Sequence, residues 1–241
     1  MSLWNLLRNP EARNMNPSRE NNRFWTKQVA ACRDAGTRKQ FPNEHFVRFM
    51  RKEVGPIAGK NVLDFGFFTG AELLFLASEG AQCHGLDVSI EAVEYADSIL
   101  REAGYKADLQ VAAGHWPDLG RNRFHLVYAL ESAHYLGSWE SLANFIDYAH
   151  GLLVPGGHFL CSMPTQRHFF HNVSDDLGEN IRAFNASYPL RQGVSFLLLK
   201  DEPHVRNVFF RFPKISVGYY EYCMKPEEIS SFWFISCRKE D

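Results

Sequence analysis

Asn61-Val-Leu-Asp64-Phe-Gly66-Phe-Phe-Thr-Gly70 is the stretch on which the reading of this chain turns. Val62, Leu63 and Phe65 read as the end of a buried strand, Gly66 and Gly70 bracket a tight loop, and Ala71 to Ser78 reads as the helix that follows. Glycine is needed where backbone turns with positive φ or where a ligand approaches with no Cβ in the way. The spacing is G-x-x-x-G rather than the G-x-G-x-x-G of a dinucleotide site, and Asp64 puts a carboxylate where a pyrophosphate would sit. A ligand with a cationic end fits better. Phe68 is the discordant residue, because a phenylalanine holds a left-handed backbone only at a cost. Its ring has two destinations, the sheet–helix interface or the ligand mouth.

Three further stretches follow in order. Cys83-His-Gly-Leu-Asp87-Val88-Ser89 reads as a second strand ending in an acid 23 positions after Asp64. Arg123-Phe-His125-Leu-Val-Tyr-Ala-Leu130-Glu131-Ser-Ala-His134-Tyr135 reads as a later strand and its exit, and Gly151-Leu-Leu-Val-Pro155-Gly-Gly157-His-Phe-Leu-Cys161 as helix end, turn and strand. Together the four resemble the class I S-adenosylmethionine-dependent methyltransferases, whose first motif runs apolar pair, Asp, x, Gly, x, Gly, x, Gly. Here Phe68 stands for the middle glycine and His125 for the aspartate that usually follows the phenylalanine of strand four.

The resemblance covers about residues 60 to 162. It implies an α/β, doubly wound (Rossmann-like), mostly parallel seven-stranded sheet with a terminal antiparallel strand pair and helices on both faces. S-adenosylmethionine is the implied cofactor. Its implied binding residues are Asp64, Gly66, Phe67, Thr69 and Gly70 of the loop, Asp87 and Val88 at the ribose, Gly114 and His115 at the adenine, and Leu130. A carboxylate offers two acceptors to a ribose diol, which makes Asp87 the central expectation. The family usually places an acid or amide at the adenine; this chain leaves His115 or a backbone carbonyl. Trp116 either stacks on the adenine or plugs the sheet edge.

Composition bounds the alternatives. With 241 residues, 45% hydrophobic and 22% charged, the chain reads as one soluble globular domain. Five scattered cysteines without C-x-x-C spacing suit reduced thiols and a cytoplasmic setting. No apolar run has the length of a membrane span, and Met1-Ser-Leu-Trp-Asn does not read as a secretion signal. Residues 1–52 hold eleven Lys/Arg against four Asp/Glu, either an anion-facing surface or a solvated helical face.

In chain order, residues 1–42 read as an N-terminal arm and possible lid, with Phe24, Trp25, Val29 and Cys32 on a short helix. Residues 43–241 form the main domain. Asn43 caps a helix to about Val54, Ser89 one to Ala103, and Ser138 one carrying Leu142, Phe145, Ile146, Ala149 and Leu153. Residues 164–193 show no clean period and read as an aromatic loop, part of an acceptor-side insertion at about 164–204, since ligands bind beyond the carboxyl ends of such strands. Both it and the arm are expected to be mobile until ligands bind.

A methyl donor carries its own chemistry, so the chain need only align the reactants, exclude water and remove a proton. His134, just past strand four, is the candidate base, with Glu131 and Tyr135 as alternatives and a bracing role for His134 equally open. Trp25, His168 and His171 are candidate substrate residues. His168 and His171 with Asp175 and Asp176 lack a third ligand at motif spacing, so no metal is expected. The expected function is methyl transfer to a small-molecule or glycan hydroxyl. The alternatives are a non-catalytic binding or assembly module, suggested by Phe68 and His125, and an RNA methyltransferase using the basic first quarter.

Overall fold

The computed structural model describes residues 19–112, 115–223 and 225–240. In chain order the first elements are α1 (Arg19–Asp34), α2 (Glu44–Phe49), β1 (Asn61–Phe65), α3 (Ala71–Ser78), β2 (Gln82–Asp87), α4 (Ile90–Glu102) and β3 (Ala107–Val111). Then come β4 (Phe124–Ala129), α5 (Trp139–Leu152), β5 (Leu153–Pro164), β6 (Ser174–Gly178), β7 (Ile181–Phe184) and β8 (Ser195–Leu197). The chain closes with α6 (Glu202–Val208), β9 (Lys214–Cys223) and β10 (Ile229–Arg238). Seven strands make the main sheet in the order β3-β2-β1-β4-β5-β10-β9. β1 runs parallel to β2 and β4, with Val62 opposite both Cys83 and Leu126, whereas β10 is antiparallel to β5 and β9.

Successive side chains of each strand go to opposite faces, and both faces are covered by helices. Val62, Leu126, Tyr128 and Leu160 pack with Phe46, Leu73, Leu76, Ala92 and Ala96 of α2, α3 and α4. Leu63, Phe65, Val127, Ala129 and Phe159 pack with Leu142, Phe145, Ile146 and Ala149 of α5 and with Val205 and Val208 of α6. The caps fall where the sequence puts them. Asn43 Oδ1 accepts from the His45 and Phe46 amides, Ser89 Oγ from Ala92 and Ser138 Oγ from Ser141. α2 reaches Val54 by widening into a π-helical turn over Met50–Val54, which Gly55 ends. Among the described residues no helix is long and apolar enough to cross a membrane.

The segment 164–193 departs from the aperiodic loop expected of it. It contains a 3-10 turn at Phe169–Val173 and the strands β6 and β7, which with β8 form a separate antiparallel sheet in the order β6-β7-β8. The β6–β7 hairpin turns on Glu179 and Asn180, both left-handed at φ 53° and 59°. Such paired left-handed residues match the twist of a two-residue hairpin, but Glu-Asn is not the Asn-Gly pair that announces one. Strands of three to five residues are also too short to show alternation. Their inner side chains Phe184 and Phe196 join Phe170, Val194, Leu198 and Tyr135 in a third core, on which Phe24 and Trp25 of α1 pack.

Candidate active site

The sheet order reverses between β1 and β4, and a crevice opens there beyond the strand ends. Gly66, at φ 74°, passes so close to the β4 exit that a Cβ would stand 2.5 Å from Ser132 Cβ. The two loops are tied by Ser132 Oγ, which donates to Phe65 O at 2.7 Å. Phe67 to Gly70 then make a tight turn, with the Gly70 amide donating to Phe67 O at 2.8 Å, and Gly70 starts α3. Phe68 does adopt the left-handed conformation, at φ 51°. Its amide donates to Asp87 Oδ2 at 3.2 Å and its ring meets Trp25 edge-on at 6.1 Å, so the ring lies at the mouth.

Three carboxylates surround this loop. Asp64, 3% exposed, has its carboxyl pushed well above the usual range, by burial first and by neighbouring Glu72 second. Glu72, itself buried, accepts from Lys39 Nζ and from the Asn43 amide. Asp87 is raised to about 6 by burial, against the opposing pull of the Ser89, Phe68 and Val88 amides. Two buried acids beside one another leave a deficit of positive charge that a cationic ligand end would fill. The Thr69 hydroxyl, in the same loop, is buried without a hydrogen-bond partner.

A cavity of about 320 Å³ continues from the loop between α1, the exit of β4 and the small sheet. Glu131 stands at β4's exit with φ 53° and accepts from Tyr220 Oη at 2.9 Å, while its amide donates to Ser162 Oγ. His134 is 1% exposed and neither ring nitrogen has a partner. Burial, then the neighbouring His168 and Arg191, hold its imidazole well below the ordinary histidine range. Tyr135 lies against it, tilted by 43° with ring centres 3.9 Å apart, and its hydroxyl accepts from Arg191 Nη1.

Of the residues singled out from sequence, Trp25, Asp64, Gly66, Phe67, Thr69, Asp87, Val88, Leu130, Glu131, His134 and Tyr135 line this cavity. Gly70 shapes the loop from behind. His115 is exposed and away from the cavity, and Gly114 lies outside the described residues. Trp116 takes the plugging role, because Phe65, Phe145 and Tyr148 enclose it in the core at 4.9, 5.4 and 5.1 Å. His168 and His171 are not on the cavity wall. His168 is buried, with Nδ1 accepting from the Phe170 amide, and His171 is exposed because the 3-10 turn points it outward. Sequence reasoning missed Asn21, Lys39, Glu72 and Arg191, which also line the cavity. Glu72 in the first turn of α3 was the one with a signal, an acid directly after the glycine loop.

Residues 62–157 match the family model of a methyltransferase domain. No curated protein sequence matches the chain. An S-adenosylmethionine-dependent methyltransferase from Methanosarcina mazei superposes with a TM-score of 0.64 at 14% identity, over 83% of this chain and 99% of that one. A structure from work on conversion of a disulfide bond into a thioacetal group during echinomycin biosynthesis gives 0.57 at 20% identity, over 83% and 82% of the two chains. Haemonchus contortus phosphoethanolamine N-methyltransferase 2, solved with phosphomonomethylethanolamine and S-adenosylhomocysteine, gives 0.58 at 16% identity, over 94% of this chain and 58% of its own. A reversed sheet order, an acid-ringed glycine loop at the reversal and a matching domain model give this part of the chain the fold of a class I methyltransferase domain. Residues 62–157 thus carry a methyltransferase domain, the chain shares its fold with S-adenosylmethionine-dependent methyltransferases, and S-adenosylmethionine is the cofactor these matches support. The residues present fit that group: buried acids suit a sulfonium and an ammonium, and the Thr69 hydroxyl lacks a partner.

Proposed function

We propose that the chain methylates a hydroxyl of a small-molecule or glycan acceptor, and that His134 takes the hydroxyl proton. The carrying observation is a buried imidazole on the cavity wall with both nitrogens unpartnered. An apolar brace would leave no such pair of atoms, each of which costs about 1 to 3 kcal/mol while unsatisfied. When bound, the cofactor would supply an electrophilic methyl group with its sulfur as the leaving group. The acceptor oxygen gains that methyl and gives its proton to His134. Because burial keeps the imidazole neutral, the base form is present at neutral pH. Glu131 is the weaker candidate, since Tyr220 Oη already donates to it.

Asp87 would hold the ribose hydroxyls, and Asp64 with Glu72 the cationic amino-acid end. The first-quarter basic residues support this reading over an RNA substrate. Among the described residues Arg51 pairs with Glu79, Lys39 with Glu72 and Arg48 with Glu44, which takes these three charges out of a basic surface for phosphates. The test is label transfer from S-adenosylmethionine to a panel of hydroxylated small molecules and glycans, followed by His134→Ala on the best acceptor. A base role requires kcat to fall about 100-fold with calorimetric cofactor affinity intact. An unchanged kcat, or a fall that tracks thermal stability, makes His134 a brace.

A further inference from the structure

Arg191 sits in a cage of aromatic rings. Its guanidinium carbon lies 5.2 Å from the Phe170 ring centre, 5.4 Å from Trp25, 5.8 Å from Phe184, and 5.9 Å from Phe24 and Tyr135. The rings come from α1, the β4 exit and the small sheet. An arginine stays charged at any pH at which the protein folds, and ring faces attract the charge without neutralising it. One hydrogen bond, from Nη1 to Tyr135 Oη, is made, but Nε is buried with no acceptor. Among the described residues no carboxylate stands within ion-pair distance of it.

The same subdomain contains an internal control. Arg182, more deeply buried than the half-buried Arg191, donates from Nε to Ser174 Oγ at 2.8 Å and from Nη2 to Ser174 O at 2.7 Å and His171 O at 3.2 Å, with Asp176 at 3.9 Å. An arginine that serves only to brace this fold is therefore saturated. Arg191 is not, and it borders the cavity next to His134, the other side chain there with orphaned nitrogens. A half-buried charge without a counter-ion is costly, and a planar fork with an unpaired Nε matches two oxygens of one oxyanion.

We infer that the acceptor carries an oxyanion, a carboxylate or a phosphate, which Arg191 receives while His134 meets the acceptor hydroxyl. This rests on the methyl-transfer reading above and narrows its acceptor to an acidic one. It also assigns the cage a purpose: the rings fix the fork's direction and exclude water, so the incoming anion meets a rigid, dry cation. The anion would further offset one of the charges that disfavour a proton on His134.

Two measurements test it. In the first, arginine Nε–Hε resonances of the wild-type protein, with S-adenosylhomocysteine bound, are followed during titration with inorganic phosphate, acetate and, as an ionic-strength control, chloride. One resonance, identified by its absence in Arg191→Lys, should shift saturably with phosphate or acetate and not with chloride; the stronger arm identifies the oxyanion. No such shift overturns the inference. In the second, hydroxylated acids are compared with their esters or amides as acceptors. The acids should be preferred, and Arg191→Gln should raise their KM about 100-fold, with kcat and cofactor affinity near wild type. Equal turnover of acid and neutral forms, or an unchanged KM, overturns it. Cofactor calorimetry separates the failures. Binding of S-adenosylhomocysteine without an anion response removes only the acidic acceptor, whereas an anion response without cofactor binding removes the methyl-transfer reading.

Discussion

Phe68 holds a backbone conformation that costs a side-chain-bearing residue about 1 to 2 kcal/mol. What opposes the cost is local: its amide bonds Asp87 and its ring abuts Trp25. Phe68→Gly should therefore change stability by only about 1 kcal/mol, read by thermal unfolding, yet open the mouth and speed cofactor dissociation by about 10-fold, read by stopped-flow mixing. An unchanged dissociation rate would make the ring a mere spacer. Asp87 gives a pH signature. Its folded value, about 6, lies above the unfolded one of about 3.9, so the free protein binds extra protons between them and loses stability as pH rises through that window. Cofactor binding has the opposite sign, because a ribose diol wants the carboxylate. Affinity should rise about 10-fold from pH 5 to pH 7 and then level off, and Asp87→Asn should flatten the profile while weakening binding by about 1 to 3 kcal/mol. Calorimetry across that range checks both. Asp64 and Asp87 were legible in sequence because each ends an apolar strand at a fixed interval. Arg191 and Asn21 were not, since each reaches the cavity from a turn or helix end whose position only tertiary packing determines.

Among the elements, α1 is hydrogen-bonded to the small sheet through Asn21. Asn21, 1% exposed, donates from Nδ2 to Tyr135 O and Ser195 O, both at 2.9 Å, and accepts from the Ser195 amide at 3.1 Å. Its amide thus imitates one more strand residue along the open edge of β8 and so secures α1 over the cavity. Asn21→Ala should weaken α1 docking by about 2 to 3 kcal/mol. Hydrogen exchange should quicken in α1 and β8 while the amides of β1 to β5 stay protected; uniform loosening would mean that α1 is integral to the core. The helices were readable in advance because their apolar stripes and caps act locally, as at Ser89 and Ser138. The small sheet was not, because it is held by its aromatic core rather than by turn chemistry or alternation.

For the molecule as a whole, ligand binding should appear as added stability. S-adenosylhomocysteine at about 100 times its Kd adds about 2.7 kcal/mol, which for a chain of this size raises the thermal midpoint by roughly 5 to 10 °C. Scanning calorimetry at two ligand concentrations tests it, and a midpoint that ignores ligand would contradict the assignment of the glycine loop. The long central helices and the glycine-loop crevice are the parts of the molecule that a single sequence discloses; the far cavity wall, assembled from α1, the β4 exit and the small-sheet region, emerges only when all three meet. The roof over the crevice also bears on traffic. Asn21, Trp25 and Val29 of α1 border the cavity proposed to serve both donor and acceptor, and on that reading α1 would have to swing aside before the spent cofactor departs. Steady-state turnover would then be paced by a hinge moving against solvent friction, and adding sucrose should slow kcat in proportion to viscosity while a poor, chemistry-limited acceptor shows no such slowing.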